Sequence, residues 1–219
     1  MKIKTIITGS TGMVGEGVLH ECLQHPDVES VLVINRKARG VQHPKLKEII
    51  HKDFFDLPKI EDQLKGYNTC YFCAGVSSIG KKEEEDRRVT YDLTMNFAET
   101  LLKLNPGMTF TYVSGVGTDS TEKGKSMWGR IKGKTENDLL KLQFKSAYMF
   151  RPGYIQPIKG LKNTYTAYKV LSPFYPLFKT LFPKYVCTLE DLGKSMINIT
   201  MNGYDKTVLE CRDITLSAG

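Results

Sequence analysis

Thr8-Gly9-Ser10-Thr11-Gly12-Met13-Val14-Gly15 follows the apolar run Ile3 to Ile7 and passes directly into a helical pattern carried by Val14, Val18 and Cys22. A strand, a glycine-rich turn and a helix in that order suit a dinucleotide phosphate. Glycines let the backbone turn sharply and approach a pyrophosphate, and the free N–H groups and dipole of the helix N-terminus favour the anion. Three glycines alone are a weak signal; the strand before and the helix after strengthen it. Gly9, Thr11, Gly12, Met13, Val14 and Gly15 are therefore the expected phosphate loop. About twenty positions on, the buried-strand run Val31-Leu32-Val33-Ile34 ends in Asn35-Arg36, where an NAD site places Asp or Glu for the ribose 2′-hydroxyl. That carboxylate is missing. Arg36, with Lys37 and Arg39 close by, supplies cations that would pair with a 2′-phosphate, so NADP(H) is the expected cofactor and NAD(H) the less favoured one. The plainer account of these residues is a solvated basic turn.

A length of 219 residues, 41% apolar and 25% charged, supports one domain covering 1–219, of ordinary soluble composition. The formal charge of +7 would fit nucleic acid or an anionic membrane, yet 24 carboxylates interleave the cations and no long basic block forms. No aromatic-basic motif supports nucleic-acid binding. Five cysteines, an odd number in a chain too large to need staples, read as reduced thiols in a cytoplasmic protein. Cys70 and Cys73 lie in a strand-like run that sends i and i+3 to opposite faces, so no metal or redox pair is expected. The first strand begins at once, without a secretory signal pattern.

Strand and helix patterns alternate throughout, the signature of an α/β doubly wound parallel sheet. Val89, Leu93, Phe97, Leu101 and Leu104 mark a long helix at spacings of four and three. Apolar runs at 69–74, 108–114 and 147–151 lack polar alternation, as expected of parallel strands covered on both faces. Lys81 to Arg88 reads as a solvated helix start, and Thr188 with Asp191 as a helix cap.

Taken together, the glycine loop, Asp53-Phe54 after the third strand, Cys73-Ala74-Gly75 after the fourth, Ser114 after the fifth and Arg151-Pro152-Gly153 after the sixth resemble the short-chain dehydrogenases/reductases. More narrowly they are similar to the atypical and extended branch labelled NAD-dependent epimerase/dehydratase, including the Tat-interacting oxidoreductase type. Val89-Thr90-Tyr91-Asp92-Leu93-Thr94-Met95-Asn96 resembles that branch's V-N-V-x-G-T-x-N helix, with Thr90 in place of Asn. The resemblance implies a Rossmann fold. It assigns Asp53 and Phe54 to adenine, Ala74 and Gly75 to the adenosine ribose, Ser114 to a substrate carbonyl, and Tyr154 and Ile155 to the nicotinamide carboxamide. Ordinary turns and close strand packing are the structural alternatives for these positions.

The departure lies in Met127-Trp128-Gly129-Arg130-Ile131-Lys132. The family's Tyr-x-x-x-Lys puts a phenol and an ammonium on one helix face, where the lysine lowers the phenol's pKa and binds the nicotinamide ribose. Lys132 is present, but the tyrosine is Trp128. An indole N–H is far too weak an acid to protonate an alkoxide. Three outcomes stay open. Ser114, Tyr154 or Lys132 through water replaces the acid; the substrate needs no such acid; or the protein binds NADP(H) without turnover and reports its state.

The segment 161–187, within a covering stretch of 154–187, carries Tyr165, Tyr168, Phe174, Tyr175, Phe178, Phe182 and Tyr185. Prolines 173, 176 and 183 and lysines 169, 179 and 184 exclude a spanning helix. It suits a lid over an apolar small-molecule substrate, a peripheral docking patch, or plain core packing.

Overall fold

Alternate side chains of β1 (Ile3–Thr8) serve two hydrophobic cores, one on each face of a seven-stranded sheet: Ile3 and Ile7 join one, Ile6 the other. The computed structural model describes residues 2–75, 78, 80–164 and 166–219, the side chains of residues 167 and 169 excepted. Tyr165 and the Lys169 side chain, quoted above, thus lie outside the described residues. After β1 come α1 (Met13–Gln24), β2 (Val28–Asn35), β3 (Leu46–Ile50), a 3-10 segment (Leu57–Leu64), β4 (Thr69–Phe72) and α2 (Glu83–Arg87). A π-helical turn (Arg88–Asp92) leads to α3 (Leu93–Leu104), β5 (Thr109–Val113), α4 (Met127–Lys141), β6 (Ser146–Arg151) and β7 (Tyr154–Gln156). Then follow α5 (Thr166–Leu171), a 3-10 turn (Ser172–Phe174), α6 (Tyr175–Leu181), β8 (Val186–Thr188), α7 (Leu189–Asn202), β9 (Val208–Glu210) and α8 (Cys211–Ser217).

The sheet order is β3-β2-β1-β4-β5-β6-β9, with every pairing parallel. Val31 and Val33 face the core closed by α1, α7 and α8, while Leu32 and Ile34 face the one closed by α3, α4 and the 3-10 segment. Burial on both faces is why these strands read as unbroken apolar runs. Cys70 and Cys73 fall on opposite faces, as their spacing predicts. The doubly wound fold expected above is therefore present.

Strand order reverses between β1 and β4, where open α/β sheets leave a crevice at the carboxyl ends of their strands. Thr8 pairs with both Ile34 and Phe72, so Gly9, Asn35 and Cys73 emerge side by side at that edge. Phe72 pairs with Tyr112 and Val113 with Phe150, which brings Ser114 and Arg151 out at the same edge.

Two local expectations are refined. Thr188 and Asp191 form the predicted reciprocal cap of α7. In the Lys81–Arg88 run Lys81 is half-buried and the rest are exposed except Asp86, whose carboxylate is buried and accepts from Ser78 Oγ at 2.9 Å. That one position faces inward because α2 packs on α4.

Candidate functional site: a cleft at the strand ends and a buried polar cluster beside it

The three loop glycines are small for different reasons. Gly9 has φ +70°, and a Cβ there would lie 2.5 Å from the Cys73 carbonyl oxygen, so it permits β1 and β4 to approach. At Gly15 a Cβ would fall 2.2 Å from the Gly9 carbonyl oxygen, which fixes α1 against the loop. Gly12 differs: within 4 Å its Cβ would meet only the Gly9 oxygen, at an ordinary 3.5 Å. Nothing in the protein requires a glycine at 12. Gly12 also caps α1 without a side-chain hydrogen bond, leaving first-turn N–H groups that have no helical carbonyl to bond. A cradle that a side chain would fill, beside free donors, fits a pyrophosphate.

Gly9, Thr11 and Gly12 open onto a cleft of about 360 Å³. Its other walls are Ile34 and Asn35 at the end of β2 with Arg36 after it, Lys52 to Phe55 after β3, and Cys73 to Gly75 after β4. Thus Asp53, Phe54, Ala74, Gly75, Asn35 and Arg36 share one cleft with the loop. Sequence reasoning missed Ile34, Lys52, Phe55, Val89 and Leu93, which complete it. The i, i+4 spacing of Val89 and Leu93 was the available signal, but it reads equally as core.

Several expected residues have other roles. Lys37 is exposed and does not line the cleft, and Arg39 donates to the Ser10 carbonyl and to Glu16 Oε1 at 2.9 Å. Glu16 also accepts from the N–H groups of Lys162 and Asn163, at 3.2 and 2.7 Å. The guanidinium is thus used to clamp the glycine loop to α1. Asn35 accepts from Ser10 Oγ at 2.9 Å and donates to Glu48 at 2.7 Å, so its amide braces the loop even though the residue lines the cleft. Met13 and Val14 turn their side chains into the core and offer only backbone to a ligand. Ile155 is likewise a core side chain, because β7 pairs with β8 and alternation sends it inward. Only its backbone is left to flank a carboxamide.

Beside the cleft, Trp128, Lys132 and Glu136 follow at i, i+4 and i+8 on α4. Lys132 Nζ donates to the Ser114 carbonyl and sits 5.8 Å from the Trp128 ring centroid. Burial lowers its pKa, while the carboxylates of Asp86 and Glu136 act in the opposite sense. The indole packs against the turn after β5, where a Cβ on Gly117 would approach it to 2.9 Å. Ser114 Oγ is turned inward to Glu136 and to the Phe150 carbonyl rather than toward a substrate. The Tyr154 hydroxyl donates to Gln156 at 3.1 Å, and its ring stacks on Tyr168 at 5.3 Å.

Glu136 is the buried hub missed in the sequence: Arg151 Nε donates to both its oxygens, at 3.1 and 3.0 Å. Its place four residues after Lys132 was the signal. Glu136→Ala leaves the Arg151 guanidinium without its buried partner and should cost about 3–5 kcal/mol of stability in urea unfolding. A loss below about 1 kcal/mol would contradict that role. Among the described residues no cluster of His, Cys, Asp or Glu could hold a metal ion.

With the geometry in place, the sequence profile of the NAD dependent epimerase/dehydratase family matches residues 5–126. The chain belongs to this family. Among curated relatives it is similar to Protein FMP52-1, mitochondrial, of Scheffersomyces stipitis, at 24% identity over 74% of this chain and 73% of the relative. FMP52-2 of the same yeast is 27% identical over 71% of this chain and 67% of its own. Among solved structures the fold is similar to the Helicobacter pylori ADP-L-glycero-D-manno-heptose-6-epimerase. The TM-score there is 0.66 at 17% identity, covering 91% of this chain and 73% of that one. It is also similar to Bordetella bronchiseptica WbmF in complex with NAD+, with TM-score 0.67 at 15% identity, covering 99% and 77%. The WbmF structure holds NAD+; what this chain shares with these two proteins is the fold. The cytoplasmic expectation is corrected, since these relatives are named mitochondrial proteins. The cysteine reasoning behind it excludes only an oxidising compartment and does not separate the reducing ones.

Proposed function

We propose that this family member binds NADP(H) in the cleft and reduces an apolar carbonyl compound, with acid catalysis altered at Trp128. The observation that carries the reading is Arg36. It lines the cleft, and among the described residues no carboxylate pairs with it, whereas Arg39 is held by Glu16. A free guanidinium is suited to bidentate pairing with a phosphate. Lys52, in the same cleft, adds a second cation.

In this reading the first-turn N–H groups of α1 hold the pyrophosphate, Asp53 accepts from the adenine amino group, and Ala74 and Gly75 leave room for the ribose. Lys132 holds the nicotinamide ribose, and the bound nicotinamide supplies the hydride. Burial makes the Lys132 ammonium a readier proton donor than an exposed one. Ser114 must release Glu136 before its hydroxyl can reach a carbonyl. The stacked Tyr154 and Tyr168, with Phe178 edge-on to Tyr154 at 5.8 Å, give the covering segment an aromatic interior suited to an apolar substrate.

A non-catalytic NADP(H) sensor is the second reading. It is favoured by the internal engagement of both the Ser114 and Tyr154 hydroxyls beside an indole that cannot act as an acid.

Fluorescence titration at fixed ionic strength tests the cofactor assignment. NADPH should bind on the order of tenfold more tightly than NADH, and Arg36→Ala should remove that preference while sparing NADH. Equal binding of the two by the wild type, or equal weakening of both by Arg36→Ala, would overturn it.

A further inference from the structure

Of the twelve large apolar side chains exposed among the described residues, seven fall between Val170 and Tyr185. They are not scattered. Val170, Phe174, Leu177 and Leu181 recur at spacings of four and three along the nearly continuous helical run formed by α5, the 3-10 turn and α6. Each is at least 54% exposed, and Phe182 continues the patch at 54%. The opposite side of the run is already satisfied: Tyr168, Tyr175 and Phe178 pack around the Tyr154 ring at 5.3, 6.5 and 5.8 Å. The outer stripe is therefore surplus to the packing of its own segment.

Charge indicates what covers it. From Tyr154 to Leu189 the chain contains five lysines and no carboxylate, so this stretch holds most of the formal +7 and the rest of the chain is close to neutral. Lys159, Lys179 and Lys184 are exposed, and among the described residues none of them takes part in an ion pair. A helical stripe of Leu and Phe bordered by unpaired lysines matches a surface that is apolar beneath and negative above. Among the described residues no helix is long and apolar enough to cross a membrane. We propose that the face formed by 170–185 docks on the surface of an anionic phospholipid bilayer, with Leu177, Leu181 and Phe182 inserted at the headgroup level and Lys179 and Lys184 among the phosphates. A protein partner would ordinarily offer carboxylates at fixed positions; the unpaired and flexible lysines here fit a diffuse negative layer better.

Vesicle flotation of the whole chain tests this, comparing phosphatidylcholine with about 30 mol% phosphatidylglycerol against phosphatidylcholine alone. The wild type should float with the anionic vesicles and not with the neutral ones, and raising salt to about 0.5 M should release much of it. Lys179→Ala with Lys184→Ala should weaken binding about thirtyfold, and Leu177→Asp with Leu181→Asp should abolish it. All four positions are exposed, so far-UV circular dichroism and NADPH titration should match the wild type. Failure to float with anionic vesicles, equal flotation with neutral ones, or wild-type flotation by both double variants would overturn the proposal. It would also fall if Leu177→Asp with Leu181→Asp converted a dimer to a monomer by light scattering while vesicles bound neither form. The stripe would then be an interface between copies.

Discussion

Gly12→Val should weaken NADPH binding by about a hundredfold or more and leave the fold standing. The two halves of that result have separate causes. Position 12 has φ −98° and ψ 166°, extended backbone that valine adopts readily, and its Cβ meets no protein atom closer than 3.5 Å. The loss of the glycine cap should cost about 1 kcal/mol or less. The two added methyl groups, however, project where a pyrophosphate must approach the helix N-terminus. Gly15→Val is the contrast, because its Cβ would lie 2.2 Å from the Gly9 carbonyl and the loop itself would have to move. Thermal melts should therefore show a large loss for Gly15→Val and a small one for Gly12→Val. A folded Gly12→Val protein that still bound NADPH like the wild type would remove the phosphate-loop assignment.

Trp128→Tyr should raise the rate of carbonyl reduction on the order of 10²–10⁴-fold, the usual value of a positioned general acid, with little change in NADPH affinity. Lys132 lies 5.8 Å from the indole centroid, so a phenol on the same helix face would have an ammonium beside it to lower its pKa. Steady-state rates with aliphatic and aromatic aldehydes measure this. Fast turnover by the wild type, slowed by Trp128→Tyr, would mean that Trp128 serves a working site with another proton donor, and the sensor reading would fail. Lys132→Ala should weaken cofactor binding in either case.

What could be read from the chain before its structure follows physical range. The strand, glycine loop and helix from Ile3 onward were legible because turn chemistry and periodicity act over a few residues. The parallel sheet was legible because Val31 to Ile34 and Thr69 to Phe72 must be apolar on both faces. The clamp that ties Arg39 to Glu16, and Glu16 to Asn163, joins residues far apart in sequence, and a single chain carries no local trace of it. Arg39 therefore looked free to meet a phosphate when it is not. Asn35 looked like a cofactor contact because its position is right, although its amide is bonded on both sides within the protein. The inward turn of Ile155 depended on β7 and β8 pairing as a separate two-stranded sheet, Ile155 opposite Cys187, across a stretch of chain that periodicity does not span. Glu136 escaped notice for a simpler reason: its i+4 relation to Lys132 was present, but nothing local marked its partner as Arg151.

The most direct test of the whole account is a crystal structure with NADPH. It should show the pyrophosphate over the N–H groups that follow Gly12, the 2′-phosphate within hydrogen-bonding distance of the Arg36 guanidinium, and Lys132 on the nicotinamide ribose. A 2′-phosphate directed into solvent with Arg36 unengaged would contradict the assignment of NADP(H). A cofactor bound anywhere but this cleft would contradict the site itself.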